Sequence, residues 1–344
     1  MRFGVIGSGS WATALAKILT DNQASIIWWV RDESAIEHIR QRHHNPHYLS
    51  SVLFDISKVN VTNNLEAAIK ESECILIAVP SAYIHSTLHE LPREIFQGKI
   101  IISAVKGILP EHNVLLNEYL KNEFSFELAD YFTVMGPCHA EEVAAEKLSY
   151  LTFSGLNETL TTELASYFMT DYLNTVTNND VYGVQYAAVL KNIYAMGAGM
   201  AHGLEYGDNF LSVLIANCAD EMAGFLRRVG IGHIEVGVHE ESDPSSRKST
   251  NYAASAYLGD LLVTCYSLYS RNRTFGNMIG KGYSVKVAQL ELSMVAEGYN
   301  ASRCIYLINQ KLKAPMPIAS IIYQILWENV KVEKGFKQIE TFLV

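Results

Sequence analysis

The chain has 344 residues, 49% of them apolar and 18% charged, so it can bury a large core, and its length suggests two domains. A formal net charge of -9 provides no broad basic field, which argues against binding nucleic acid or an anionic membrane surface, although a few local cations can still attract a small anion into one cleft. Five widely spaced cysteines, and no apolar run near the roughly 18 residues of a membrane helix, point to a reduced, soluble, cytoplasmic protein without stable membrane association.

The chain starts in an apolar strand, Arg2-Phe3-Gly4-Val5-Ile6, with none of the features of a cleaved signal peptide, so no segment is expected to be removed. Further short, β-prone apolar runs at residues 25–30, 74–79, 99–105, 131–135, 150–154 and 172–176 alternate with helical segments. Continuous apolar strands alternating with helices predict a mostly parallel sheet covered on both faces, a doubly wound α/β domain over residues 1–180. After Asp180, a candidate helix cap, long helical periodicities at 186–201, 210–229 and 253–269 predict an all-α domain over 181–344. Residues 230–249, rich in Gly, Ser, Asp and Glu, read as a loop between two of those helices.

The first strand runs into Gly7-Ser8-Gly9-Ser10-Trp11-Ala12, and Ala14, Leu15, Ile18 and Leu19 follow with helical spacing. Glycine-x-glycine-x-x-alanine between a strand and a helix predicts a Rossmann-type dinucleotide site. Gly7 makes the turn, Gly9 lets a pyrophosphate approach the backbone, Ala12 allows close helix packing, and the helix N-terminus presents free N–H groups. At the end of the second strand stand Arg31 and Asp32. An acid there suits the ribose hydroxyls of NAD and an arginine the extra phosphate of NADP; because Arg31 comes first, the expectation tilts towards NADPH.

In the second half, Lys191 and Asn192 lie inside an apolar helix, where a partly desolvated lysine can serve as a general base for an alcohol proton; a lysine snorkelling from an amphipathic helix is the plainer alternative. Asp260 and Thr264, four apart, share one helical face. Ser270-Arg271-Asn272-Arg273 follows, and its guanidinium fork and amide donors suit a phosphate as well as they suit a helix terminus. The His43, His44, His47 group lacks Cys or acidic ligands at a metal-site spacing and reads as a loop over the cofactor cleft. His239, Glu240, Glu241 and Asp243 read as a solvated polar run, and no metal is expected. Trp28 and Trp29 read as core residues of a strand.

Taken in order, GSGSWA, Lys106-Gly107, Met135-Gly136-Pro137 with Ala140, Leu190-Lys191-Asn192, Gly207-Asp208-Asn209, Gly259-Asp260-Leu261, Ser270-Arg271-Asn272-Arg273 and Val295-Ala296-Glu297-Gly298 resemble the motifs of the NAD(P)-dependent glycerol-3-phosphate dehydrogenase family across nearly the whole chain. The resemblance implies a Rossmann domain followed by a helical domain like the C-terminal part of 6-phosphogluconate dehydrogenase. It further implies reversible hydride transfer between sn-glycerol 3-phosphate and NAD(P), giving dihydroxyacetone phosphate, a role in supplying glycerol phosphate for phospholipid synthesis, and a homodimer. By the same resemblance Lys191 is the acid/base, Asp260 a catalytic partner, and Lys106 a catalytic lysine touching cofactor and substrate. Asn192, Thr264, Ser270, Arg271 and Asn272 contact substrate, and Gly136 lies at the substrate and cofactor. Gly7, Gly9, Ser10, Trp11, Ala12, Arg31, Ala140, Arg271, Val295 and Glu297 contact cofactor.

The sequence departs from the common family pattern at Cys138-His139, at Phe210-Leu211 and at Ala256-Tyr257-Leu258. That puts in doubt a cofactor role at position 138 and a cationic role at position 211, and a quiet buried thiol is the expectation for Cys138. Two rival readings need different features. Another hydroxyacid or 6-phosphogluconate-type dehydrogenase needs a carboxylate pocket where Ser270-Arg271-Asn272 stands, and a non-enzymatic NAD(P) sensor needs loss of Lys191 or Arg271, both of which are present.

Overall fold

Every residue of the first apolar run, β1 (Phe3–Ile6), is buried, because it lies inside a sheet covered on both faces. The computed structural model of the chain describes residues 1–231, 256–292 and 294–344. Its contacts resolve two units, Met1–Val105 with Val114–Val181, and Lys106–Asn113 with Tyr182–Val344.

The first unit is built on β1, β2 (Ile26–Trp29), β3 (Val59–Thr62), β4 (Cys74–Ile77), β5 (Ile100–Ser103), β6 (Tyr131–Met135), β7 (Ser149–Ser154) and β8 (Leu173–Asn178), in the sheet order β3-β2-β1-β4-β5-β6-β7-β8. Pairing is parallel from β3 through β6, antiparallel between β6 and β7, and parallel again between β7 and β8. The first six strands therefore have the doubly wound dinucleotide-fold order, which reverses direction at β1 and β4. The expected strands are all present. β3 was not anticipated: Val59-Asn60-Val61-Thr62 buries only alternate residues and is an edge strand too short to stand out from its polar surroundings.

The helices of this unit are α1 (Ser10–Asp21), α2 (Glu33–Arg42), α3 (Leu65–Lys70), α4 (Ile84–Leu88), α5 (Leu116–Phe124), α6 (Ala140–Ala144) and α7 (Glu158–Ser166). Asp32, Asn64 and Asn157 start α2, α3 and α7 by accepting from the backbone N–H groups of Ser34, Ala67 and Leu160, the ordinary use of Asp and Asn at a helix start. Trp28 is fully buried in the core, whereas Trp29 is half-buried and donates its indole N–H to the Asn63 carbonyl, so only the first of the two is a core residue.

The second unit consists of α8 (Val181–Gly203), α9 (Asp208–Val229), α10 (Leu258–Tyr266), α11 (Arg271–Gly280), α12 (Val285–Glu291), α13 (Glu297–Leu312), α14 (Pro317–Trp327) and α15 (Val332–Ile339), together with the segment Lys106–Asn113. α8 begins directly after Asp180 and is buried on every side from 183 to 201, which explains its small residues and its weak amphipathic pattern. The loop expected at 230–249, with His239, Glu240, Glu241 and Asp243, lies outside the described residues from 232 on, as do residues 253–255 of the third expected helix. No helix among the described residues is long and apolar enough to cross a membrane. The five cysteines are buried and form no disulfide among the described residues.

Candidate active site

In the first unit β1 delivers the chain into Gly7, whose φ of +127° is closed to side-chain-bearing residues and whose added Cβ would stand 2.6 Å from the Ala78 carbonyl oxygen. Gly9 is the N-cap of α1, and a Cβ there would meet nothing within 4 Å, so its backbone is open to an approaching phosphate. Ser10 and Ala12 are buried in the first turn of α1, and Trp11 between them is half-buried. These features fit a dinucleotide pyrophosphate at the start of α1.

Two residues to which sequence reasoning gave no part in the cofactor turn hold it in place. The indole of Trp28 donates to the Gly7 carbonyl at 2.7 Å. Asn45, almost fully buried, donates to the Ser8 carbonyl at 3.0 Å and to Thr13 Oγ1 at 2.9 Å, and Thr13 in turn donates to the Gly9 carbonyl. The segment carrying His43, His44 and His47 is thereby fastened to the glycine-rich turn. Two of its histidines are engaged locally: the ring nitrogens of His38 and His44 lie 3.3 Å apart, and His47 is 3.7 Å from the Asp32 carboxylate. A loop over the cofactor cleft is what the sequence leads one to expect here, but nothing in the string Asn45-Pro46 identifies its partners, which are 32 and more residues away.

Arg31 and Asp32 are both exposed after β2, and Asp32 is committed to Ser34, whose hydroxyl and N–H hold its carboxyl below the ordinary range. Gly136 is buried in the turn after β6, Cys138 is buried beside it, and Ala140 opens α6.

The second unit carries the chemistry. Lys191 sits mid-way along the buried stretch 183–201 of α8, and burial there without a partner would cost several kcal/mol, as for any unpaired buried ion. Its ammonium pairs with Oδ1 of Asp260, from the first turn of α10; the two side chains are 4% and 1% exposed. Burial pushes Lys191 down to about 8, opposed by the Asp260 charge and assisted by repulsion from Lys106. Thr264 donates to the Asp260 carbonyl one turn back and lies 3.5 Å from Asp260 Oδ1, so the two do share a helical face. Asp260 Oδ2 is buried and has no hydrogen-bond partner among the described residues. An amine that titrates near neutrality beside an acceptor with spare capacity can take and return an alcohol proton.

Around this pair the remaining candidates are joined by amides. Asn192 donates to the Lys106 carbonyl at 2.9 Å and accepts from Asn272 at 2.8 Å; Asn272 accepts from the Gly298 N–H at 2.9 Å. Ser270 caps α11 by accepting from the Arg273 N–H, and Arg271, half-buried at the first helical position, donates to the Val295 carbonyl at 3.4 Å. Glu297 opens α13 immediately before Gly298. The second unit thus gathers Lys106, Lys191, Asn192, Asp260, Thr264, Ser270, Arg271, Asn272, Val295 and Glu297. Gly7, Gly9, Ser10, Trp11, Ala12, Arg31, Gly136 and Ala140 belong to the first.

Family models of the N-terminus and C-terminus of NAD-dependent glycerol-3-phosphate dehydrogenase match residues 2–161 and 180–337. The chain is 32% identical over 339 residues to the glycerol-3-phosphate dehydrogenase [NAD(P)+] of Enterococcus faecalis, covering 98% of this chain and 95% of that one. It is 34% identical over 334 residues to the enzyme of the same name from Clostridium botulinum, covering 97% and 95%. Among solved structures, the glycerol-3-phosphate dehydrogenase of Coxiella burnetii superposes with a TM-score of 0.85 at 25% identity, over 98% of each chain.

Proposed function

Since this chain belongs to the NAD-dependent glycerol-3-phosphate dehydrogenase family, we propose that it interconverts sn-glycerol 3-phosphate and dihydroxyacetone phosphate, with the first unit serving mainly the cofactor and the second, which includes Lys106–Asn113, mainly the substrate. The observation that carries the assignment of roles is the Lys191–Asp260 pair, a buried amine brought down to about 8 inside a helix that otherwise tolerates no charge.

A bound nicotinamide would supply the hydride chemistry at C2. Gly7, Gly9, Ser10, Trp11, Ala12 and Arg31, with Gly136 and Ala140, would hold the dinucleotide in the first unit; Arg271, Val295 and Glu297 carry cofactor roles by the family resemblance alone. Neutral Lys191 takes the C2 hydroxyl proton during oxidation, and its ammonium returns it during reduction; Asp260 and Thr264 keep Nζ in place, and Lys106 stabilises the developing alkoxide. Arg271 and the first turn of α11, with Ser270 and Asn272, receive the phosphate, whose binding energy positions C2. Arg31, exposed beside an Asp32 already engaged by Ser34, favours NADPH over NADH. The protein acts in the cytoplasm as a homodimer, supplying glycerol phosphate for phospholipid synthesis.

The test is oxidation of NADH and, separately, NADPH by the purified protein with dihydroxyacetone phosphate, using unphosphorylated dihydroxyacetone as control. Turnover that requires the phosphate supports the assignment, and a loss confined to NADPH in Arg31→Ala supports the cofactor preference. Lys191→Ala is expected to bind cofactor normally and lose about 10² to 10⁴ in turnover. Silence with both cofactors from folded, cofactor-binding protein would favour a hydroxyacid dehydrogenase instead.

A further inference from the structure

Gly7 and Gly136 follow β1 and β6 with the same φ of +127°. The two strands run parallel, so both turns stand at the carboxyl edge of the sheet, but β4 and β5 lie between them. Three strand spacings are roughly 14 Å, and no ladder joins one turn directly to the other. Their separation is set instead by the helices they lead into, α1 and α6, which pack on each other and share a core cluster that includes Ala12, Ala16, Ala140 and Val143. α6 has only five residues, too few to hold its shape unaided.

Just beyond α6, Glu146 has a φ of +53°, the left-handed conformation that after a helix usually falls to glycine. Its N–H meets the Val143 carbonyl at 3.0 Å and that of Lys147 meets the Glu142 carbonyl at 2.9 Å, the paired closure of such a helix end. Glycine would close this turn with less strain. What glutamate adds is a carboxylate that accepts from the Lys17 ammonium of α1 at 3.0 Å, across 129 positions of sequence.

The Lys17 side chain is 10% exposed, and its ammonium also donates to Asp21 Oδ2 and to the Tyr172 hydroxyl at 3.3 Å, so three protons serve three partners. Tyr172, just before β8, closes the ring by donating to Asp21 Oδ2 at 2.6 Å. Burial works against the charge, yet these partners outweigh it and hold Lys17 above the ordinary lysine range. Asp21, on the same helix, is enough to neutralise the ammonium. Glu146 is the partner that reaches it from the end of α6.

We infer that Lys17 and Glu146 are positioning residues for dinucleotide binding: their ion pair holds the turn before α6 at a fixed distance from the glycine turn of α1, so that one extended dinucleotide meets both. This rests on the reading of both turns as cofactor contacts. Lys17 lies about 10 Å along α1 from Ser10, so its effect reaches the cofactor through the helix and not by contact. Without the pair the turns sample other separations, and apparent affinity falls with the fraction of molecules that keep the right one.

The experiment titrates NADPH and, separately, NADH by nicotinamide fluorescence into wild type, Glu146→Gln, Glu146→Gly, Lys17→Met and the Lys17→Met/Glu146→Gln double variant. Steady-state assays give kcat and KM for the dinucleotide and for dihydroxyacetone phosphate. Kd should rise about two- to fivefold in both Glu146 variants alike, the size of one partly exposed ion pair, and at least as much in Lys17→Met. The double variant should bind no more weakly than Lys17→Met, because both changes remove the same link. KM for the dinucleotide should follow Kd, while kcat and KM for dihydroxyacetone phosphate stay near wild type. Glu146→Gly is the deciding variant, since it gives the helix end the residue its backbone favours. If it binds the dinucleotide as wild type does, Glu146 serves only to end α6 and the proposal is overturned. A lower melting temperature with unchanged Kd, or losses that multiply in the double variant, would overturn it as well. Should Lys17→Met fail to fold, as judged by thermal melting, the two Glu146 variants decide, because that side chain is 62% exposed. If wild type binds neither dinucleotide, the reading of the two turns falls and the proposal with it.

Discussion

Tyr194, one turn along α8 from Lys191, donates its phenolic hydrogen to Oε1 of Glu221 at 3.1 Å. The same carboxylate, on α9, accepts from the backbone N–H groups of Ile318 and Ala319 at 2.8 and 2.9 Å, so a side chain from one helix caps the start of another, α14. Proline at the first position of α14 has no N–H to satisfy, and Glu221 meets the next two. Three helices of the second unit are joined at this one buried acid, whose pKa burial pushes up to about 7 in spite of those three donors.

The raised value sets the sign of a stability effect. The folded state holds the Glu221 proton more tightly than the unfolded chain, whose carboxyl has its ordinary value near 4.5, so the contribution is complete below that value and is lost as pH rises through about 7. The swing is roughly 3 kcal/mol. Glu221→Gln cannot ionise, and its melting temperature should fall less than that of wild type between pH 5 and 8; parallel curves in a thermal-shift series would remove Glu221 as the cause.

Catalysis should divide by direction. Oxidation needs neutral Lys191, so its kcat/KM should rise with pH through about 8 and level off, whereas reduction needs the ammonium and should fall through the same pH. Absorbance assays of both directions across pH 6 to 10 decide it, and two profiles with unrelated midpoints would mean that Lys191 is not the shared group.

Asp260→Asn removes the charge that opposes desolvation of Lys191, so the oxidation midpoint should move below about 8 while turnover drops. An unpaired buried ammonium costs about 3–5 kcal/mol, a penalty the variant escapes once the amine is neutral. Its melting temperature should therefore lie furthest below wild type at acid pH and approach it at alkaline pH. A deficit that is constant with pH would show that packing, and not charge, is what the aspartate supplies.

Trp28→Phe keeps the aromatic core and deletes the hydrogen bond to the Gly7 carbonyl. About 1 kcal/mol, or roughly fivefold in Kd for the dinucleotide, is expected, with kcat near wild type at saturating cofactor. Nicotinamide fluorescence titration measures it, and an unchanged Kd would mean that the glycine turn holds its shape without the indole.

Much of the first unit was readable because parallel strands buried on both faces are continuous apolar runs, and because the Gly7 to Ala12 string ties chemistry to local conformation. β3 escaped because half its residues face solvent. In the second unit the Asp260–Thr264 face follows from helical spacing alone, but the Lys191–Asp260 ion pair joins residues 69 positions apart, and the hydrogen bonds of Asn192 and Asn272 reach from residue 106 to residue 298. Such links have no local signal: an asparagine that completes a framework has the same composition and neighbours as one that waits for a ligand.

The segment Lys106–Asn113 lies within the first half of the chain yet packs with the second unit, so the polypeptide passes from one unit to the other at 105/106, 113/114 and 181/182. The two halves are for that reason not exchangeable cassettes. A chimera spliced at residue 181 would import a foreign 106–113 segment into the helical unit, and its Lys106 carbonyl would have to find an Asn192 it had not evolved beside. Recombination in this lineage, natural or in the laboratory, should succeed only where that short segment travels with the helices it serves.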